Sequence, residues 1–508
     1  MADLQTWWRL QNGSDIRGVA IAGVEGEPVN LTPDIAYKLG QAFVTWLAKK
    51  LSKPAADLAI SIGRDSRLSG PMLAEGLADG MMSLGAQVYD FGLASTPAMF
   101  MSTVTPGYDC HGAIMLTASH LPFNRNGLKF FTAQGGLNKP DIREILTLAG
   151  QDSFLTAATK GEIQMRDFIS AYAEGLVQKV RQNVNHPNSY EQPLKGLHIV
   201  VDAGNGAGGF YASKVLEPLG ADTSGSQFLE PDGNFPNHIP NPENEAAMAA
   251  IRSAVLENQA DFGIIFDTDV DRSAAVDSQG CELNRNRLIA LISAIVLREH
   301  PGSTIVTDSI TSDGLAQFIT ELGGVHHRFK RGYKNVINES VRLNEASQES
   351  WLAIETSGHG AMKENYFLDD GAYLVSKLLV ELAISKQSGK VITDLISTLK
   401  EPADSKEYRL KILTEDFKTH GNAVIKKLHA YVDEQDGWEL VPNNYEGIRV
   451  ACTSPAEDGW FLLRLSLHDP VLPLNIESNE KGGVEQIRHR LIAFFESVNH
   501  LDISPLNQ

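Results

Sequence analysis

The chain has 508 residues, 43% hydrophobic and 21% charged, an ordinary globular composition that is too long for one hydrophobic core. Its formal net charge of -19, with no concentrated basic run, excludes a nucleic-acid surface, so an anionic substrate must be held by a local cluster working against the overall field. Cys110, Cys281 and Cys452 are widely spaced without a C-x-x-C arrangement, which excludes a cysteine zinc site and fits a reducing compartment. The N-terminus "MADLQTWWRLQNGSD" lacks a leader pattern and no stretch is long enough to span a bilayer, so the expectation is a soluble cytoplasmic protein with no membrane partner.

In chain order, "QNGSDIRGV" presents Arg17 from a glycine-flanked turn, either as a solvated surface arginine or as an anion contact. The apolar spacing from Thr32 to Lys50 predicts an amphipathic helix with a lysine-rich end. "DLAISIGRDSRLSGPMLAEGLADGMMSLGAQVYDFG" then reads as a βαβ unit. Its loop places Arg64 and Arg67 where they suit an anion or, equally, a structural salt bridge to Asp65. Thr96 and Pro97 follow another strand end, with Pro97 setting a helix start. The stretch "GAIMLTASHLPFNRNGLKFF" starts as a buried strand and ends in turn chemistry, delivering Ser119 and His120 to a strand end. By itself it is either an active-site loop or a turn whose serine ties the backbone.

A helical segment near Met165 to Val180 is followed by the polar, proline-containing "RQNVNHPNSYEQP", which reads as a linker. The next unit has a strand, a turn carrying Gly204, Gly206, Gly208 and Gly209, and a helix. These glycines do not form G-x-G-x-x-G, so a nucleotide cofactor is not expected, and their role is close packing of the helix on its sheet. In "ADFGIIFDTDVDRSAAVD" an apolar strand ends in Asp267, Asp269 and Asp271, with Arg272 beside them. Three such close carboxylates repel unless a cation or hydrogen-bond network offsets them, and oxygen ligands at alternating positions favour magnesium; the other reading is a solvated acidic turn.

A third α/β unit begins near "GSTIVTDSITSDGLAQFITELGG", followed by the basic cluster Arg328, Lys330, Arg331 and Lys334, a solvated face or a contact for an anionic ligand. "WLAIETSGHGAMKENYFLDDGAYLVSKLLVELAIS" delivers Glu355, Ser357 and His359 into a glycine-flanked turn suited to sugar hydroxyls, then Asp369 and Asp370 ahead of a long helix. From about residue 405 the pattern changes to strands with a terminal helix around Val484 to Val498, a smaller α+β domain whose anion-capable side chains are Arg449, Arg464, Ser466 and His468.

The ordered set of motifs resembles the α-D-phosphohexomutase family, which includes phosphoglucomutases and phosphomannomutases. "TASHLPFNRNGLKFF" is similar to its phosphoserine loop, "DTDVDR" to its magnesium loop, "ETSGH" to its sugar-binding loop, and "RLSLHDP" stands where its C-terminal phosphate-binding loop belongs, with "GSDIRG" and "GRDSR" similar to N-terminal signatures. The resemblance implies an α/β fold, three successive α/β mixed-sheet domains plus a smaller C-terminal α+β domain around a central cleft, at residues 1–188, 189–300, 301–404 and 405–508. It also implies that Ser119 carries a phosphoryl group and binds Mg2+ with Asp267, Asp269 and Asp271, and that Arg17, His120, Lys129 and Arg272 support charge and proton transfer. Arg64, Lys334, Glu355, Ser357, His359, Arg464, Ser466 and His468 would contact substrate.

The implied activity is interconversion of hexose 1-phosphate and hexose 6-phosphate, of glucose or mannose, through a bisphosphate, with glucose 1,6-bisphosphate as activator and small-molecule sugar phosphates as the partners. The oligomeric state is not specified by these motifs. Two departures from the family pattern stand out: Leu467, His468 and Asp469 replace the glycine, threonine and glutamate of R-x-S-G-T-E-P, and Ala353 and Ile354 precede the sugar loop where many relatives have glycines. A weakened clamp leads to a second expectation, a glucose 1,6-bisphosphate synthase-like phosphotransferase that releases the bisphosphate. A third is a noncatalytic sugar-phosphate-binding protein.

Overall fold

The structure, a computed structural model, describes residues 4–466 and 469–507. They form two compact units, one of residues up to Ile295 with Ser357–Asp394, the other of Val296–Thr356 with residues from Leu395 onward. In the first unit the apolar run Ala59–Arg64 is a central strand, flanked in parallel by Gln87–Leu93 and Gly112–Leu116. Gly112–Leu116 pairs antiparallel with Arg125–Thr132, which pairs antiparallel with Asp15–Val19, so the sheet is mixed as expected. Neighbouring parallel strands end at the same edge, which is why the loops bearing Arg67, Thr96 and Ser119 emerge side by side.

Helix Pro33–Leu51 follows the predicted span: Thr32 caps it by accepting from the Ile35 amide, a proline opens it, and Lys49 and Lys50 close it. Its buried face, including Leu39, Phe43 and Leu47, belongs to the core that also holds Ile60, Ile62, Leu77 and Ile114. Helix Gly70–Ser83 packs so tightly on it that a Cβ at Gly80 would lie 2.0 Å from the Tyr37 carbonyl oxygen, which explains the glycine.

Two boundaries differ from expectation. Ile163–Met165 is an edge strand parallel to Gln87–Leu93, because extended pairing to an open sheet edge outweighs the local helical pattern. The following helix runs Ile169–Val184, four residues into the stretch read as linker, and stops where Asn185 adopts φ 43° and its amide donates to the Arg181 carbonyl.

The second sheet of this unit places Phe262–Phe266 between the parallel Ile199–Asp202 and the antiparallel Ser273–Asp277. The glycine-rich turn after Ile199–Asp202 does lie against this sheet, with Gly206 close to the Thr268 backbone and Gly208 close to the Phe266 ring. A short hairpin, Gly360–Met362 with Leu368–Asp369, leads into helix Gly371–Gln387, whose N-cap Asp370 accepts from the Tyr373 amide.

In the second unit Thr304–Thr307 lies between the parallel strands Val325–Arg328 and Ser350–Ile354. The C-terminal region is an antiparallel sheet in the order Trp438–Leu440, Ile448–Cys452, Gly459–Leu463, Val471–Ser478, Asp404–Ile412, Leu501–Asp502. Helices Phe417–Val432 and Gly483–Phe495 cover it, burying Val424, Leu428, Ile487 and Leu491, so this region is α+β as anticipated. No helix among the described residues is long and apolar enough to cross a membrane.

Candidate active site

Ser119 follows the fully buried strand Gly112–Leu116 and has φ 51°, a left-handed conformation that costs a non-glycine residue about 1 kcal/mol or more. Local and long-range bonds hold it there. Its amide donates to Thr117 Oγ1 at 2.9 Å, and the Arg67 guanidinium donates to the carbonyls of Ser119, Leu121, Pro122 and Arg125 at 2.5, 2.6, 2.8 and 3.0 Å. Arg67 is fully buried and pairs with Asp65 at 3.3 Å, so of its two readings the structural salt bridge is the one formed, and it fixes the Ser119 loop. Burial holds the Arg67 pKa below its usual value and raises that of Asp65 to about 6, opposed by Arg67 itself.

The Ser119 hydroxyl accepts from Arg272 Nη2 at 2.7 Å and donates to Asp267 Oδ2 at 3.1 Å. Arg272 Nη2 also donates to His120 Nδ1 at 2.6 Å, which assigns that nitrogen as acceptor. Burial, Arg272 and Arg17 push the His120 pKa far down, so the ring is neutral beside the serine. Arg17, on the strand Asp15–Val19, pairs with Asp15 at 3.0 Å.

Asp267, Asp269 and Asp271 are all buried, and each offers one carboxylate oxygen within 4.8 Å of the others. Lys129 Nζ pairs with Asp269 Oδ2 at 3.0 Å and with Asp271, and Thr96 Oγ1 donates to Asp269 Oδ2 at 2.5 Å. Burial and its two acidic neighbours raise Asp267 well above the carboxylate range. Asp271 is held low against the pull of burial, chiefly by Lys129, His359 and Arg272. Oδ1 of Asp269 and Oδ1 of Asp271 are buried with no hydrogen-bond donor among the described residues. Orphaned anionic acceptors in an all-oxygen set are what a hard divalent cation satisfies, and a solvated acidic turn does not fit this burial.

His359 Nδ1 lies 2.5 Å from Asp369 Oδ2 and 3.8 Å from Asp271 Oδ1; although burial opposes it, these carboxylates raise the histidine pKa. The preceding Gly358 has φ 93°, and a Cβ there would sit 2.6 Å from the Ser273 carbonyl oxygen, so only glycine lets this loop bridge to Arg272 and Ser273. Ser357 is buried in the same unit. Arg64 is not brought into this cluster: it pairs with Asp90 on the adjacent strand at 3.4 Å.

The remaining expected contacts lie in the second unit. Glu355 Oε1 accepts from the Gly332 amide at 2.6 Å, just ahead of the helix Tyr333–Glu345 that carries Lys334. Thr356 Oγ1 donates to Asp308 Oδ2 at 2.7 Å, and Arg331 approaches the same carboxylate at 3.8 Å. Arg464 is buried, its Nε has no hydrogen-bond acceptor among the described residues, and burial with the nearby Arg331 lowers its pKa. Ser466 Oγ accepts from the Asp469 amide at 3.3 Å. Leu467 and His468 lie outside the described residues. Sequence reasoning missed the roles of Arg67, Thr96 and Asp369 around the serine and the triad. Thr96 and Asp369 stood at strand or helix ends in the sequence, but nothing local identified their partners.

A hydroxyl held between a guanidinium and a carboxylate, beside a buried acidic triad on an α/β scaffold, defines a phosphoryl-transfer type of site. Comparison with known proteins agrees. Residues 9–155, 170–280 and 284–401 match the family models of phosphoglucomutase/phosphomannomutase alpha/beta/alpha domains I, II and III. The phosphoglucomutase of Neisseria gonorrhoeae is 32% identical over 483 residues, covering 95% of this chain and 96% of its own. A phosphomannomutase/phosphoglucomutase of Pseudomonas putida is 31% identical over 477 residues, 94% of each chain. The crystal structure of a phosphoglucomutase/phosphomannomutase family protein from Burkholderia thailandensis superposes with TM-score 0.77 at 28% identity over 98% of both chains. The chain belongs to the α-D-phosphohexomutase, or phosphoglucomutase/phosphomannomutase, family. It is an enzyme of the intramolecular phosphotransferase class.

Proposed function

We propose that the enzyme is a magnesium-dependent phosphohexomutase that interconverts the 1- and 6-phosphates of a hexose, glucose and/or mannose, with Ser119 as the phosphoryl carrier. The observation that carries this reading is the Ser119 hydroxyl, 2.7 Å from Arg272 Nη2 and 3.1 Å from Asp267 Oδ2 beside the two orphaned carboxylate oxygens. Asp267, Asp269 and Asp271, with an oxygen of the Ser119 phosphoryl group, would hold Mg2+, which when bound neutralises charge on the transferring group. Arg272 and Lys129 add fixed positive charge at the same place, and their burial keeps water from screening it.

In the forward half-reaction the bond from phosphorus to Ser119 Oγ breaks as one forms to a hydroxyl of the hexose monophosphate, whose proton ends on Ser119. The resulting bisphosphate returns its other phosphate to Ser119 after turning over. Glu355 and Ser357 would select sugar hydroxyls, and Arg464 with Ser466 would hold the phosphate not in transfer. Glucose 1,6-bisphosphate would activate by phosphorylating an empty Ser119. The four divisions at residues 1–188, 189–300, 301–404 and 405–508 assign one such loop to each domain. The cytoplasm is the compartment we infer from cysteine usage.

The test is turnover of glucose 1-phosphate and mannose 1-phosphate by wild type and Ser119→Ala, with free bisphosphate measured. We expect the variant to lose turnover by at least about 10³-fold. Retained turnover in the variant overturns the assignment of the carrier, and accumulation of bisphosphate without hexose 6-phosphate in the wild type replaces the mutase with a bisphosphate-forming enzyme.

A further inference from the structure

We propose that the second unit carries an oxyanion site, separate from the Arg464 clamp, that takes a phosphate group, free or as a monoester. The site is a cavity of about 260 Å³ between the edge strand Val325–Arg328 and the segment from Val441 to Arg449. Its lining includes Arg328, Arg449, His326, His327, Asn443 and Asn444, and no carboxylate among the described residues. Such a lining in a chain of net charge -19 is a local reversal of the field.

The positive charge here is only partly matched. Arg449, with 2% of its surface exposed, donates to the Ser309 and Thr311 carbonyls and to Asp313 Oδ1 at 2.9 Å, while its guanidinium stacks 3.5 Å over the Trp460 ring. Arg328 Nη2 donates to the same Asp313 oxygen at 2.7 Å and its Nε to Thr311, so two guanidiniums share one carboxylate that is half-exposed. Nε of Arg449 is buried and has no hydrogen-bond acceptor among the described residues. Of the other acids nearby, Glu339 Oε1 pairs with His327 Nε2 at 2.9 Å, and Asp308 and Glu477 act on Arg328 from a distance, but burial raises the Glu477 pKa to about 7, which leaves it a weak counter-charge. Arg449 itself is pulled down to about 9 by burial and by Arg328, and His326 is pushed down by burial and by both arginines. Arg449 and His326 thus each feel a positive neighbour in addition to burial.

Planar guanidinium forks with carboxamide donors match the oxygens of a phosphate better than those of a neutral ligand. A second cavity of about 510 Å³ adjoins the first through His327, Asn443 and Tyr445, giving room for the organic part of a monoester. The next residue along, Glu446, accepts from Ser309 Oγ and from the Arg331 amide at 3.2 Å, so an occupant would restrain a segment already tied to the loop beside Asp308.

The test is hydrogen exchange of the peptide spanning residues 441–447, with inorganic phosphate and, separately, glycerol 3-phosphate, and needs no turnover. We expect about tenfold slower exchange with phosphate at ten times its dissociation constant, in wild type and equally in Arg464→Gln, which removes the clamp. Asn443→Asp places a carboxylate in the lining at an exposed residue of φ 55°, a conformation aspartate tolerates, and should abolish the protection without lowering the melting temperature. Arg328→Gln should also abolish the protection, although the loss of its bonds to Thr311 and Asp313 will lower the melting temperature. Protection by both ligands assigns the site to monoesters, and protection by inorganic phosphate alone assigns it to the free ion. No protection in wild type, or protection lost in Arg464→Gln but kept in Asn443→Asp, overturns the proposal.

Discussion

Arg67 is the residue on which the reactive serine depends without being touched by substrate chemistry itself. Four carbonyls of the segment from Ser119 to Arg125 converge on its guanidinium, which only arginine's five-donor fork can satisfy. Without them the left-handed Ser119 would relax toward a cheaper conformation and its hydroxyl would leave the Arg272 and Asp267 contacts. Arg67→Lys keeps the charge opposite Asp65 but loses most of this fork. The expected outcome is a fall in kcat on the order of 10²-fold with KM little changed, read by steady-state kinetics, together with a lower melting temperature as buried carbonyls lose their donors. An unchanged kcat would remove Arg67 from its positioning role.

At the level of elements, the strand pair Gly459–Leu463 and Val471–Ser478 sets Trp460 directly opposite Glu477. The indole donates to Glu477 Oε1 at 3.1 Å, yet burial dominates and raises this carboxyl from 4.5 to about 7. Below pH about 4.5 the group is protonated both folded and unfolded, and above about 7 it is charged in both. Between these limits the folded state binds the extra proton, so the contribution of Glu477 to stability declines as pH rises. Glu477→Gln keeps the acceptor and removes the charge. Relative to wild type it should gain stability between pH 5 and 8, by up to about 3 kcal/mol, measured by denaturant unfolding of the C-terminal region at both pH values. An equal effect at both pH values would mean that the carboxyl titrates normally.

At the level of the whole molecule, the acidic triad and Ser119 lie entirely within one of the two compact units. A cation that binds only the folded form of that unit stabilises it by about 2.7 kcal/mol at one hundred times the dissociation constant. Adding Mg2+ after chelation should therefore slow hydrogen exchange in the peptides spanning residues 117–124 and 267–277 and leave the strands of the C-terminal sheet unchanged. Uniform protection of both units, or none, would contradict a metal site confined to the triad.

Local pattern in the chain set most of the elements and the places where their reactive ends lie. Apolar runs closed by polar turns located Ser119 and the three aspartates, because burial of a strand and exposure of its following loop are local consequences of composition. The capped, proline-opened helix Pro33–Leu51 was legible for the same reason. Partnership was settled by tertiary contacts. Lys129 meets Asp269 across 140 residues and Arg67 reaches Ser119 across 52, distances in sequence that carry no periodic signal. Sheet order places strands far apart in the chain side by side, and no local pattern encodes that order. The edge strand Ile163–Met165 shows the same limit, since its conformation follows from an available neighbour and not from its own residues. Residue types fixed what chemistry was on offer, and the long-range contacts chose which groups were brought within bonding distance.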